Sequence, residues 1–173
     1  MRDQVTTWWR LVASRAAASP DAVMLRDDLG RSLTFAEYAE RAERVAAALR
    51  DQGVGAGTVV SWQLPTCAEA LVLMGALARL GAVQNPILPI LRDAEVRVIV
   101  GQVCPDLVIV PARWRAFDHS AAVLRERRRP DAAGDQPPGH RAAWRRRRAV
   151  RLGPHRVPDG HFRVPRRSGG GDA

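Results

Sequence analysis

Lysine is missing from this 173-residue chain: all 27 basic residues are arginine, and no histidine occurs before His119. Cysteine is scarce. Cys67 and Cys104 lie in apolar stretches with neither CxxC spacing nor a histidine nearby in sequence. That pattern argues against a metal site or a disulfide framework and reads as two buried thiols in a reducing compartment. Long hydrophobic runs are also lacking. Arg10 and Arg15 interrupt the first apolar stretch well short of signal-peptide length, and no run approaches the ~18 residues that span a bilayer. The expectation is a soluble, cytoplasmic protein.

Recognisable nucleophile motifs are absent as well. Ser14, Ser19, Ser32 and Ser61 precede Ser120, and none sits in a GxSxG elbow, which argues against a serine hydrolase. His119 follows Asp118, but sequence neighbours rarely aim at each other and no nucleophile accompanies them. They read as an exposed polar helix or loop end.

What is present divides near Val123. Met1 to Val123 hold 13 Arg against 13 Asp and Glu, whereas Leu124 to Ala173 hold 14 Arg against 5 acids, so the back segment carries the whole formal charge of +9. The front segment is long enough to bury one core. Attraction to polyanions, which clustered cations would bring, is confined to the back.

Trp8, Trp9, Leu11, Val12 and Ala16 recur at helical spacing up to Ser19-Pro20, which predicts an amphipathic first helix. The Trp8-Trp9 pair reads as its hydrophobic anchor. Ala22 to Leu25 and Arg31 to Phe35 flank the turn signal Asp27-Asp28-Leu29-Gly30 and predict a β-hairpin. Thr34 and Glu37 have capping-box spacing for a helix with Tyr38, Ala42, Val45, Ala46 and Leu49 on its buried face, ending at Gly53.

Gly53-Val54-Gly55-Ala56-Gly57 superficially resembles a dinucleotide-binding loop. That fingerprint needs a strand before and a helix after, and here the order is inverted, so the glycines read as a helix-to-strand turn. Thr58 to Leu64 then reads as a buried strand and Cys67 to Leu80 as an apolar helix closed by Gly81. Ala82 to Pro89 reads as an extended loop, Leu91 to Gln102 as a helix and Asp106 to Val110 as another buried strand. Strands and helices alternating in this way predict βαβ units on a parallel sheet, hence an α/β fold.

Three of these stretches together resemble the start of the AMP-forming acyl-CoA synthetases. Leu33-Thr34-Phe35-Ala36-Glu37-Tyr38 is similar to the family's LTYxEL motif. Val59-Val60-Ser61-Trp62-Gln63-Leu64-Pro65-Thr66 is similar to its D-x-V-x-x-x-L-P-N strand and turn. Leu77-Ala78-Arg79-Leu80-Gly81-Ala82-Val83-Gln84-Asn85-Pro86 is similar to its LKAGAxxxPL motif. Asn85 to Arg92 and Val110 to Phe117 resemble a subgroup acting on cyclic or medium-chain acids.

The resemblance covers Thr6 to about Val123 and implies an incomplete first lobe of an adenylate-forming ligase over residues 1–123. It also implies a two-step reaction in fatty-acid metabolism: a carboxylate attacks ATP to give an acyl adenylate and pyrophosphate, and the thiol of coenzyme A then displaces AMP. ATP, magnesium and coenzyme A are implied for a full-length member, with a small-molecule carboxylic acid as substrate. No cofactor is expected for the fragment. The family's phosphate loop, with its Ser, Thr, Gly and Lys, has no counterpart here; neither do its adenine-binding aromatic motif, its ribose-binding Asp or its C-terminal Lys. No catalytic, cofactor-binding or metal-binding residue is therefore carried over, and the chain is expected to be a truncated fragment, inactive alone.

Residues 124–173 have few large apolar side chains and no period of 2 or 3.6, so disorder is expected. In a GC-rich gene a slipped reading frame would give such an Arg-, Gly- and Pro-rich tail without lysine, and this is the favoured reading. The alternative is an α/β binding module whose Arg-rich arm grips nucleic acid or an anionic surface. A third possibility is an interaction subunit pairing with a separately encoded remainder.

Overall fold

The computed structural model describes residues 7–27, 30–111 and 148–152. These residues form two compact units, one from 7–27, 30–56 and 66–82 and the other from 57–65, 83–111 and 148–152. Chain and unit alternate, because the polypeptide leaves the first unit after Ala56, returns at Thr66 and leaves again after Ala82.

In the first unit α1 spans Trp8–Ala18, opened by Thr7, whose hydroxyl accepts from the Arg10 amide at 3.3 Å. It packs against α2 (Phe35–Asp51) and α3 (Ala68–Leu80) mainly through buried Val12. Trp8 is 46% exposed, so the expected anchoring pair is only half inserted. The predicted hairpin forms from β1 (Val23–Arg26) and β2 (Ser32–Thr34), antiparallel with Leu25 opposite Leu33.

The capping box is complete: the Glu37 amide donates to Thr34 Oγ1 at 3.2 Å, and the Thr34 amide donates to Glu37 Oε2 at 2.9 Å. The face of α2 that the sequence periodicity selects, Tyr38, Ala42, Val45, Ala46 and Leu49, is the one that is buried. It packs against α3, in which Val72, Leu73, Ala76 and Leu77 are buried. Gly81 closes α3 at φ 69°, a left-handed conformation that costs a residue with a Cβ about 1 kcal/mol or more.

The second unit is a four-stranded sheet in the order β4-β3-β5-β6, with every neighbouring pair parallel. Its strands are β3 (Val59–Trp62), β4 (Val83–Pro86), β5 (Leu107–Pro111) and β6 (Arg148–Leu152). β5 is buried along its whole length, as its unbroken apolar run predicts. Between β4 and β5 lies α4 (Asp93–Val103), where the Arg92 amide donates to Glu95 Oε2 at 3.0 Å and so opens the helix two residues later than expected. Val100 of α4 joins Ile87, Val108 and Val110 in one apolar cluster, against which Leu91, Val96 and Ile99 pack.

Three further expectations need amending. Val83 to Pro86 is a strand rather than part of a loop. Asn and Pro disfavour strands locally, but the ladder with β3 supplies the hydrogen bonds, and Pro86 ends the strand, where its missing N–H costs little. β6 lies within the stretch expected to lack order; its Ala149 and Val150 stand opposite Val108 and Ile109 in the ladder. Cys67 and Cys104 are partly rather than fully buried. The Asp118-His119 pair falls outside the described residues. No helix among the described residues is long and apolar enough to cross a membrane.

Candidate functional site

In an open parallel sheet, ligands collect at the carboxyl ends of the strands, where chain connections diverge to opposite sides. Here the chain passes from β3 to β4 on one side, then crosses back to β5 on the other. The divergence therefore falls between β3 and β5, at the end marked by Trp62, Gln63 and Pro111.

Gln63 dominates this end. Its amide N–H donates to the Ile109 carbonyl at 2.9 Å, prolonging the ladder by one residue. Its side chain is 2% exposed, and Nε2 donates to the carbonyls of both Leu88 and Leu91, each at 3.0 Å. The glutamine thus ties the end of β3 to the turn that leads into α4. Row by row on the same face, Asn85 Nδ2 donates to the fully buried Ser61 hydroxyl at 2.9 Å, and the two residues are opposite each other in the ladder. None of these three side chains titrates near neutral pH. The arrangement can fix backbone and accept or donate hydrogen bonds, but it has no general base beside Ser61.

Trp62 Nε1 is buried at the same end with no hydrogen-bond partner among the described residues. A buried orphan donor costs about 1–3 kcal/mol. Sequence reasoning quoted Trp62 and Gln63 only as part of a motif and singled out neither. The available signal was a lone amide between apolar residues at the end of a buried strand.

The ionised groups of the first unit gather elsewhere. Arg31 donates through Nε to Asp27 Oδ2 at 2.5 Å and through Nη1 to Glu69 Oε1 at 2.9 Å, linking the hairpin to the first turn of α3. Glu69, followed by Asp27, holds the guanidinium above its ordinary value. Burial pushes Glu69 up, but the Arg31 hydrogen bond and those from its own backbone and Cys67 outweigh it, leaving the carboxyl below its usual range. Cys67, two residues away, is pushed up to about 11, chiefly by burial. A thiol so shifted is almost wholly protonated at neutral pH and is a poor nucleophile.

The glycine stretch Gly53 to Gly57 joins α2 to β3 as a turn, with Gly53 at φ 85° donating to the Arg50 carbonyl at 2.8 Å. No helix follows it to aim amides at a phosphate. Among the described residues no three His, Cys, Asp or Glu side chains converge to hold a metal ion.

A model of the AMP-binding enzyme family matches residues 12–150. The chain is 34% identical over 110 residues to 2-hydroxy-7-methoxy-5-methyl-1-naphthoate–CoA ligase of Streptomyces carzinostaticus, a match covering 64% of this chain and 20% of that protein. It is 36% identical over 98 residues to acetoacetyl-coenzyme A synthetase of Rhizobium meliloti (strain 1021), covering 56% of this chain and 15% of that protein. Among solved structures, a protein described as a long-chain-fatty-acid CoA ligase from Rhodopseudomonas palustris CGA009 superposes with a TM-score of 0.62 at 32% identity. That superposition covers 69% of this chain and 30% of the other. The chain therefore spans about a fifth of the length of the curated relatives it matches, and its α/β architecture is that of the N-terminal lobe of such ligases.

Proposed function

Because the chain belongs to the AMP-binding enzyme family, we propose that it builds the first α/β part of an acyl-CoA ligase and does not form an acyl adenylate by itself. The observation that carries this reading is the pairing of 34% identity to a CoA ligase with coverage of only 20% of that ligase. The matched part supplies sheet, helices and the Gln63 clamp, which position backbone.

In a complete enzyme of this kind, a carboxylate oxygen attacks the α-phosphorus of ATP, forming an acyl adenylate and releasing pyrophosphate. The coenzyme A thiol then attacks the acyl carbonyl, AMP leaves, and the thiol proton passes to a base. Charge developing on phosphate in the first step calls for preorganised donors or cations. The cations described here are arginines, and Arg31, Arg44 and Arg79 are each held by a carboxylate. Among the described residues no three His, Cys, Asp or Glu side chains converge, and the proposal leaves the groups that meet the phosphates and their metal to the rest of such an enzyme.

The second reading, an Arg-rich arm for nucleic acid, rests on the charge of residues 124–173. It has less support, because the family match continues to residue 150 and β6 aligns beside β5. Incubating the 173-residue chain with ATP, magnesium and a panel of carboxylic acids should release no pyrophosphate above the enzyme-free rate. Turnover with any acid would overturn the proposal of inactivity.

A further inference from the structure

We propose that the outer edge of β5 is a strand-acceptor site, filled here by Arg148–Leu152 of the same chain and open to that segment of a second copy once its own strand is displaced. The backbone defines the edge. The Gln63 amide donates to the Ile109 carbonyl at 2.9 Å, so Ile109 turns its N–H and C=O toward β3, and strand alternation turns those of Val108 and Val110 the other way. Val108 and Val110 are 4% and 2% exposed. Water therefore does not satisfy their backbone groups, and the strand beside them does.

The register assigns the atoms. Val108 stands opposite Ala149, and Val110 opposite Arg151. In a parallel ladder a residue bonds to the two neighbours of the one it faces, which assigns the Arg148 carbonyl to the Val108 N–H, the Val150 N–H to the Val108 carbonyl, and the Val150 carbonyl to the Val110 N–H. Val150 thus meets β5 through both its backbone groups, while Ala149 and Arg151 turn theirs away.

The occupant is selected by backbone and sequence, not by charge. All five residues of β5 are apolar and buried, so with its place empty β5 would be an apolar edge, the form that pairs with other chains. The segment that fills the place comes from beyond the charge break near Val123. The sequence between Pro111 and Arg148 exceeds the ~12 residues that a parallel crossover needs. Such a length reaches the β5 of its own chain or that of a second copy, and exchange of an identical element between copies keeps every ladder contact. Two of the five residues of β6 are arginine, the charged composition that stops a sheet from growing further, so the site takes one strand.

The test uses the full 173-residue chain and a synthetic peptide of residues 146–154, which stands in for the strand of a second copy. In the wild type the Val108 and Val110 amides should exchange at least about 100-fold more slowly than in an unstructured chain. Val150→Pro removes an N–H that faces β5 and should abolish that protection, while Ile109 keeps its own. Arg151→Pro removes an N–H that faces away and should keep the protection within about threefold. Fluorescence anisotropy of labelled peptide should show saturable binding to Val150→Pro at one peptide per chain. That binding should be roughly tenfold or more tighter than to the wild type or Arg151→Pro, whose own strand fills the site, and than binding of a scrambled peptide of the same composition.

Val108 and Val110 amides that exchange in the wild type as in an unstructured chain overturn the inference. So does failure of Val150→Pro to bind the peptide, and so does equal binding of the scrambled peptide, which would reduce the effect to arginine charge. If Val150→Pro also costs Ile109 its protection, the peptide must restore all three amides, and failure to restore them overturns the inference in the same way.

Discussion

Gly75 of α3 lies directly against the hydroxyl of Tyr38 of α2: a Cβ built at Gly75 would overlap that oxygen and come within 2.9 Å of Tyr38 Cζ. Tyr38 is fully buried, and its hydroxyl donates to the Leu71 carbonyl one turn earlier in α3, at 2.7 Å. Close approach and hydrogen bond together set how the two helices meet.

Gly75→Ala should therefore destabilise the chain even though alanine is worth about 1 kcal/mol over glycine inside a helix. Overpacking a rigid site costs typically about 1–3 kcal/mol, and the ring is fully buried. Urea unfolding should show a net loss of about 1 kcal/mol. Tyr38→Phe alone should cost about 1 kcal/mol through the lost hydrogen bond. In the double variant the removed oxygen relieves the closest overlap and leaves only the ring carbon at 2.9 Å, so the combined loss should be smaller than the sum of the two. Simple additivity would show that the helices shift apart instead.

Gln63→Ala should cost about 2–3 kcal/mol, because it strands the Leu91 carbonyl, deprives the Leu88 carbonyl of one of its two donors and opens a small cavity. Hydrogen exchange localises the effect. The amides at the start of α4 should exchange faster, whereas those of α2 should keep their wild-type protection. A uniform rise in exchange would mean that Gln63 supports the whole molecule and not the turn.

These two sites were unequally legible in the sequence. The buried face of α2 follows from helical periodicity, and the Thr34–Glu37 box from capping chemistry, since both depend on residues a turn or two apart. Gly75 was not, because nothing local distinguishes a glycine that receives a tyrosine from one that merely weakens a helix. β4 was misread for the same reason: its order comes from β3, more than twenty residues earlier. Gln63 stood inside a recognised motif, but its role depends on carbonyls 25 and 28 residues away.

Glu69 gives a pH signature. Its carboxyl is held below the usual range in the folded chain, so the contribution is fully present above the unfolded value of about 4.3 and is lost as pH falls through the lower folded value. The pair with Arg31 is partly exposed, and screening limits it to at most about 1 kcal/mol. Glu69→Gln should lower the urea midpoint at pH 7, and the difference should shrink as pH falls below the ordinary carboxylate range. A gap between the two proteins that persisted at acid pH would assign the effect to packing, not charge.

Cys67 should resist alkylation at neutral pH. With its thiol pushed up to about 11, its thiolate fraction at pH 8 is roughly 200-fold below that of a free cysteine with a pKa of about 8.5. Mass spectrometry after iodoacetamide treatment should show modification of Cys67 climbing steeply only above about pH 10. Labelling at pH 7 as fast as free cysteine would mean that the first turn of α3 opens readily.

The Ser61–Asn85 pair tests whether a buried polar contact in the sheet adds stability or only specifies register. Ser61→Ala leaves the Asn85 amide without its partner, and Asn85→Val leaves the buried Ser61 hydroxyl without its donor. Each single change should cost about 1–2 kcal/mol, since stranding one partner carries the desolvation penalty of the group left behind. Removing both leaves apolar side chains opposite each other in a parallel ladder already rich in valine, and the double variant should recover to within about 1 kcal/mol of wild type. Such recovery would leave register as the reason for a polar pair here, because two apolar residues tolerate slippage of β4 along β3 and a single hydrogen-bonded row does not. If the double variant were as unstable as the two single losses combined, the pair would instead be a net source of stability.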